Sequence, residues 1–279
     1  SQRKIKKPLR STDMSKVVDE WYANFVKHLY NDQDMFIKLI NAAHYLEIHP
    51  LLDLLSAKVA SIMVDNKSNI ADELGWWLRD IICDYLTFDN LLLFQNQSDK
   101  MTKTFDRRVV RMEKRGIRVP EDCETLKEAV SLVESVDNFT TIVLGKGEHV
   151  VLGKGEHWIN TKYLNIPSAM NIVGDSRVAK ENVVVLGGIY FKDGIQGNCH
   201  LQHLTLRQAN EYGVYGESSF TMDDVLVEQC DQHGVSAWGA GVVGRCTDVE
   251  VRECGWSGVD AGEGASITLI GAKTKVHHN

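Results

Sequence analysis

Before Pro120 the chain has almost no glycine: of its 22 glycines only Gly75 and Gly116 lie there, and the remaining 20 follow. A glycine-poor stretch can carry long helices, whereas frequent glycine marks strands broken by tight bends. Two domains of different class are therefore expected to meet near Pro120. Long apolar runs are missing as well. None approaches the ~18 residues of a bilayer span, which excludes a helical membrane anchor, and the start has no secretory leader pattern. Positive charge is in deficit, with 31 Lys and Arg against 38 Asp and Glu and a net charge of −7. A dedicated nucleic-acid binder needs clustered cations to displace counterions; the one basic run, "RKIKK" at 3–7, reads as a solvated tail. The six cysteines, Cys83, Cys123, Cys199, Cys230, Cys246 and Cys254, include no C-x-x-C pair, so no structural zinc site is expected. Without a leader they read as reduced thiols of an intracellular protein, cytoplasmic or nuclear. The chain opens at "SQRK" without an initiator Met, which points to a fragment or a processed product.

What is present divides in the same way. Residues 1–15 form a basic tail and linker, 16–119 a helical domain, and 120–279 a strand-rich domain. In the helical part Val17, Trp21, Phe25 and Leu29 recur every fourth residue, and Phe36, Ile37, Leu39, Ile40, Ala43 and Leu46 make a wide apolar face. Pro50 suits a first helical turn, and Leu51, Leu52, Leu55, Val59 and Ile62 continue the pattern. Ile70, Leu74, Trp77, Leu78 and Ile81 suggest one more helix. Short helices with such stripes must bury them against one another.

The second part opens on "TLKEAV", in which Thr125 and Glu128 have capping-box spacing. Leu126, Ala129, Val130 and Val133 give that helix one apolar face. Beyond it come short β-branched runs, "TTIVL", "MNIVG", "NVVVL", "LTL", "VLV" and "VEV". Three segments, "HLTLRQANEYGV", "DVLVEQCDQHGV" and "DVEVRECGWSGV", align without gaps. Leu204, Val225 and Val249 lead them, Leu206, Val227 and Val251 come next, and Gly213, Gly234 and Gly258 precede Val214, Val235 and Val259. Spacings of this length fit one coil of a stacked strand solenoid, with the apolar residues inward and glycine at the corner. Cys230 then stacks on Cys254, with Asn279 at the same place in the following coil. "TKVHHN" begins a coil that does not close, so the solenoid is expected to continue past residue 279. The doubled "VLGKGEH" at 143–157 lacks the spacing, hydroxyl and following helix of a phosphate loop. It reads as a local duplication at the solenoid's edge; its even offset preserves the facing of Val143 and Val151.

"FIKLINAAHYLEIHPLLDLLSAKVASIM" at 36–63 resembles the C-terminal helices of the S-phase kinase-associated protein adaptors, relatives of the BTB/POZ fold. "PLRSTDMSKVVDEWYANFV" before it is similar to their linker and helix, so the likeness spans about 8–64. Those adaptors join F-box proteins to cullin–RING ubiquitin ligases. The resemblance implies that His44 and Tyr45 lie where the family meets the cullin, and that Leu52, Leu55, Val59 and Ile62 lie on the helix that packs with F-box helices. His44 replaces the family's usual Asn, the family's strand-rich first half is missing, and "GWWLRDIICDYL" replaces its usual tail. From 121 to 279 the "TLKEAV" helix, "TIVLGKGEH" and "LNIPSAMNIVGD" resemble right-handed parallel β-helix proteins of the pectin-lyase type. Many of those cleave polysaccharides, while others only bind carbohydrate or protein, and fold alone does not decide between them.

Glycan hydrolysis needs two carboxylates ~5–9.5 Å apart. Asp223 and Asp224 are adjacent and His233 follows, but the N-T-D string of polygalacturonase-like enzymes is absent. In the alignment Asp224 stacks on Asp248 and Glu228 on Arg252, which reads as a solvated, partly charge-paired face. A lyase would use Arg207, Arg245 or Arg252 as base beside acidic calcium ligands, with Asp260 and Glu263 as the available rim. His200 and His203 are read as a strand pair facing opposite ways, which disfavours joint metal binding. Trp238 and Trp256 can stack on sugars or anchor a protein partner. No catalytic residue, metal or cofactor is assigned. The expected function is a non-enzymatic adaptor that meets F-box or cullin-type proteins through its helices and a target through Asp224, Glu228, His233, Trp238, Asp248, Arg252 and Trp256 of the β-helix. The alternative is a carbohydrate-active or glycan-binding β-helix with a helical accessory.

Overall fold

The computed structural model describes residues 5, 9, 11–29, 33–66, 81–82, 85–86, 99–136, 138–150 and 163–279. Its contacts divide the chain into two compact units between Arg111 and Met112. The first is helical: α1 (Met14–Val17), α2 (Glu20–Leu29), α3 (Gln33–Tyr45) and α4 (His49–Asn66), followed by α5 (Asp99–Arg115), which runs across the division.

Helix α4 is the hub of the helical unit. Leu52, Leu54, Leu55, Ala57, Val59, Ala60 and Met63 join one core with Phe36, Ile40 and Ala43 of α3 and Ala23 and Val26 of α2. Burial on nearly every side is expected of a helix that is apolar all round. Of its buried serines, Ser61 Oγ donates to the Thr12 carbonyl at 2.9 Å, whereas Ser56 Oγ has no hydrogen-bond partner among the described residues. The stripe Val17–Trp21–Phe25 is not the most buried one: Val17 and Phe25 pack partly buried against the core, and Trp21 does not. Val18 is extended and ends α1, so the four-residue spacing does not continue around one axis, and Met14, Val18, Ala23 and Val26 face the core instead. Trp21 is left exposed, its ring stacked on Phe25 at 5.5 Å. Leu46, expected on the α3 face, is also exposed, because α3 ends at Tyr45. The helix expected around Ile70, Leu74, Trp77 and Leu78 lies outside the described residues. Helix α5 was not legible in the sequence: charged residues dominate "DKMTKTFDRRVVRMEKR".

The second unit is a parallel β-helix. Thr125 caps α6 (Leu126–Ser135) with the capping box that the sequence predicts: the Glu128 N–H donates to Thr125 Oγ1 at 3.1 Å and the Glu128 carboxylate accepts from the Thr125 N–H at 3.4 Å. Leu126, Ala129, Val130 and Val133 are buried together with Leu132. Strands β1 (Ile117–Val119), β2 (Thr141–Leu144), β5 (Asn171–Gly174), β8 (Cys199–Gln202), β11 (Phe220–Asp223), β14 (Val243–Thr247) and β17 (Ser266–Ile270) form the first sheet in that order. The second sheet orders β3 (Gly147–Val150), β6 (Val183–Leu186), β9 (Thr205–Arg207), β12 (Leu226–Glu228), β15 (Glu250–Arg252) and β18 (Lys275–His277). The third orders β4 (Tyr163–Ile166), β7 (Gly188–Phe191), β10 (Val214–Gly216), β13 (Val235–Trp238) and β16 (Val259–Gly262). Successive coils supply one strand to each sheet, and every pairing is parallel. Because β1 pairs with β2 from Ile117 onward, the β-helix begins ahead of Pro120; a three-residue strand carries too little periodicity to be read from sequence.

Register obeys the repeat. Leu206, Val227 and Val251 are paired neighbours in the second sheet, as are Val214, Val235 and Val259 in the third. Val225 and Val249 are fully buried one coil apart, and the Glu250 N–H donates to the Val225 carbonyl at 3.0 Å. His149 occupies the inward column that Val185 fills in the next coil; burial holds its imidazole below the ordinary histidine value. The second copy of the 143–157 duplication lies outside the described residues.

The corners are not built as the sequence suggested. Left-handed backbone at the bend between the first and second sheets belongs to His203, Asp224 and Asp248 (φ 53°, 52° and 51°), and after the second sheet to Gln208, Gln229 and Glu253. His203 is thus a corner residue rather than a strand residue. The repeat glycines serve a different end, close approach. A Cβ on Gly234 would stand 2.3 Å from Val251 Cγ1 and 2.6 Å from the Gly258 carbonyl oxygen. Gly234→Ala is therefore expected to cost about 1–3 kcal/mol by overpacking. Denaturant unfolding measures it; a midpoint equal to wild type would mean that adjacent coils have slack at this column.

Candidate functional site

Stacking in register turns residues one coil apart into lateral neighbours, and two outward-facing groups follow. One is a ladder of charge on the second sheet. Glu228 sits between Arg207, whose Nε donates to Oε1 at 2.6 Å, and Arg252, whose Nη2 donates to Oε2 at 2.7 Å. Arg252 also reaches Glu250 at 3.3 Å, and Glu250 accepts from His277 Nε2 at 3.2 Å. Burial pushes the Glu228 carboxyl up, but the hydrogen bonds from Arg252 and Arg207 outweigh it and hold the group below its ordinary range. At the neighbouring corner Asp224 accepts from Lys180 Nζ and His203 Nδ1, each at 2.7 Å. His203 Nε2 also bonds the Val178 carbonyl at 2.8 Å. Burial lowers its imidazole, yet the bonds to Asp224 and Val178 raise it on balance. Asp248 accepts from the Lys273 N–H at 3.2 Å. Asp224, Glu228 and Arg252 thus join side chains of different coils, and Asp248 accepts a backbone N–H from the following coil.

The other group covers the outer face of the third sheet. Tyr190 of β7 and Tyr215 of β10 are register partners, with ring centroids 5.4 Å apart. Tyr212, just before β10, stacks on Tyr163 at 6.3 Å, Tyr215 at 5.1 Å and His233 at 5.4 Å. Trp256 meets His233 edge-on at 5.3 Å. His233 Nδ1 accepts from the Ser257 N–H at 3.3 Å, which fixes the ring one coil below its neighbour. Two rings lie across the next coil where that coil has glycine. A Cβ on Gly188 would be 2.7 Å from Tyr163 Cδ1, and one on Gly262 would be 2.1 Å from Trp238 Cζ3. Trp238 and Trp256 nevertheless remain 40% and 61% exposed.

Carboxylates are set among these rings by neutral donors. The Tyr163 hydroxyl donates to Glu211 Oε2 at 2.9 Å. The Tyr190 hydroxyl donates to Glu217, and the Tyr215 hydroxyl reaches Glu217 Oε1 at 3.2 Å. Ser236 Oγ lies 3.5 Å from Asp260 Oδ2. Burial, reinforced by Glu217, pushes the Tyr215 hydroxyl up to about 12, so the phenol stays neutral and remains a donor. Among the described residues no group of three or more His, Cys, Asp or Glu side chains could hold a metal ion.

Of the residues predicted from sequence, His233 and Trp256 meet just ahead of β13 and β16, Trp238 stands at the far end of β13, and Asp224, Glu228 and Arg252 belong to the other group; Asp248 occupies the corner one coil beyond Asp224. The tyrosines and Glu211 and Glu217 were missed. Their signal is the single-coil spacing of Tyr190 and Tyr215, which appears only when the alignment is carried back to earlier coils. In the helical unit Tyr45 is 85% exposed and His44 is exposed beside it at the end of α3. Leu52, Leu55 and Val59 are core residues of that unit, and Ile62 is buried as well.

No protein-family model matches the chain, and no solved structure matches it. Over 70 residues, 25% of this chain, it is 40% identical to a Tetrahymena thermophila protein, the S-phase kinase-associated protein 1 homolog. The chain spans 39% of that protein's length.

Glu228→Gln would leave two arginines without their shared counter-charge. Both stay partly hydrated, so a loss of about 1–3 kcal/mol is expected. Glu228 is held below its ordinary range in the fold, so its contribution is present above about pH 4.3 and fades as pH falls through the depressed value. Unfolding measured from neutral to acid pH should converge for the two proteins at the acid end. Curves that stay parallel would remove Glu228 as a source of acid sensitivity.

Proposed function

We propose that this chain is a non-enzymatic adaptor linked to cullin–RING ubiquitin ligase machinery, with the helical unit facing the ligase and the β-helix serving as a recognition module. The observation that carries the reading is the 40% identity of one quarter of the chain to an S-phase kinase-associated protein homolog. The partners it implies are F-box or cullin-type proteins on the helical side and a protein target on the β-helix. Leu52, Leu55, Val59 and Ile62 are buried, so packing with F-box helices through them would require α4 to part from its neighbours. Tyr45 and His44 need no such rearrangement, and exposed Leu46 and Ile48 next to them add apolar area. The ligase contact is accordingly assigned to the α3–α4 turn. Locking of Asp224 and Glu228 in ion pairs supports a scaffold over a hydrolase.

A second reading is favoured by the aromatic strip of the third sheet: a glycan-binding or carbohydrate-active β-helix of the pectin-lyase type, with sugars stacked on Trp238 and Trp256. Incubation with uronic-acid polymers, followed by assay of reducing and unsaturated ends, is expected to give no product under the adaptor reading.

The adaptor reading predicts that purified cullin N-terminal segment is retained by the wild-type chain. Tyr45→Glu should weaken retention about tenfold or more, as truncation of an exposed aromatic anchor does, without lowering the unfolding midpoint. Undiminished retention by that variant would remove the α3–α4 turn as the contact, and no retention by either protein would remove the adaptor reading.

A further inference from the structure

Carboxylates on the β-helix are treated in two ways. Asp122, Asp175, Asp224, Glu228 and Glu250 each have a Lys, Arg or His within ion-pair distance. Others, Asp223, Asp248 and Glu253 among them, have amide or backbone N–H donors instead, and the outer face of the third sheet carries two more without a cationic partner. Among the described residues Glu217 and Asp260 form no ion pair, and Lys192, at the end of β7, makes none with Glu217. Their partners are the Tyr190 and Tyr215 hydroxyls for Glu217 and Ser236 Oγ for Asp260. Neutral donors hold a carboxylate in position without cancelling its charge, and beside them stand Trp238 and Trp256, both open to solvent.

The geometry points to this face as a docking surface for an extended basic peptide segment, rich in arginine or lysine, laid along the solenoid axis. The inference rests on the adaptor reading and names the chemistry of the target. Charge complementarity selects the occupant. A guanidinium can stack on an aromatic ring while its N–H groups donate to a carboxylate, and this face offers both within a few coils rising ~4.8 Å each. A polyanion such as a uronate polymer meets repulsion from Glu217 and Asp260. A neutral sugar can stack on the tryptophans but desolvates the carboxylates without supplying counter-charge, which is costly.

The test is fluorescence anisotropy on the full chain with a short labelled alternating Arg-Ser peptide, its Glu-Ser counterpart, and glucose oligomers as competitors. The Arg-Ser peptide should bind, more weakly as salt rises, and the Glu-Ser peptide should not. Glu217→Gln with Asp260→Asn should raise the Kd about tenfold or more, as should Trp238→Ala. Glu134→Gln removes an exposed charge from α6 and should leave the Kd unchanged; circular dichroism checks that every variant is folded. Equal effects of the third-sheet and α6 changes, no binding of the Arg-Ser peptide, or preferential binding of glucose oligomers would each overturn the proposal. Tyr45→Glu should bind the peptide as wild type does. Failure of the cullin experiment with intact peptide binding would therefore sink the adaptor reading alone, and the converse would sink only this docking surface.

Discussion

Close contact between like residues of successive coils governs the β-helix. Gly213 and Gly234 have no room for a Cβ because the next coil's valine methyl and glycine carbonyl press against them. That proximity fixes the register of the inward columns, Leu206 with Val227 and Val251, and Val214 with Val235 and Val259. Once the inward residues are aligned, the pleat aligns the outward ones. The ion-pair ladder and the aromatic strip are consequences of one constraint, expressed on two faces of the same coils.

Those faces differ because their partners differ in kind. On the second sheet Glu228 is bracketed by arginines from the coils before and after, so charge is satisfied internally and binds coil to coil. On the third sheet the same lateral spacing brings tyrosines beside glutamates, and rings over glycines. Hydroxyl donors hold the acids there. The two sides of the scaffold thus tie coil to coil by different chemistry, ion pairs on one and ring stacking with phenol–carboxylate hydrogen bonds on the other.

Much of this was legible beforehand. The three aligned segments gave the coil, its inward residues and the stacking of Glu228 on Arg252, since each depends only on offsets within a gapless repeat. The Thr125 capping box was equally local. What escaped detection depended on geometry that offsets do not carry. Trp21 looked like part of a core stripe, but the break at Val18 left it exposed, while Phe25 stayed packed against the core. Repeat glycines looked like corner residues, whereas His203, Asp224 and Asp248 adopt the left-handed bends. Tyr163 with Glu211 and Tyr190 with Glu217 join residues of different coils, which no single segment displays.

The bends themselves are unequal. In three successive coils the chain turns between the first and second sheets through the same tight corner, at His203, Asp224 and Asp248. From the third sheet back to the first, the links run from Gly216 to Phe220 in one coil, from Trp238 to Val243 in another and from Phe191 to Cys199 in an earlier one. The first-to-second corner lengthens too, from 224–225 between β11 and β12 to 175–182 between β5 and β6. Extra residues enter at these links while the strands on either side keep their parallel register, so a coil can grow at its bends without disturbing the sheets.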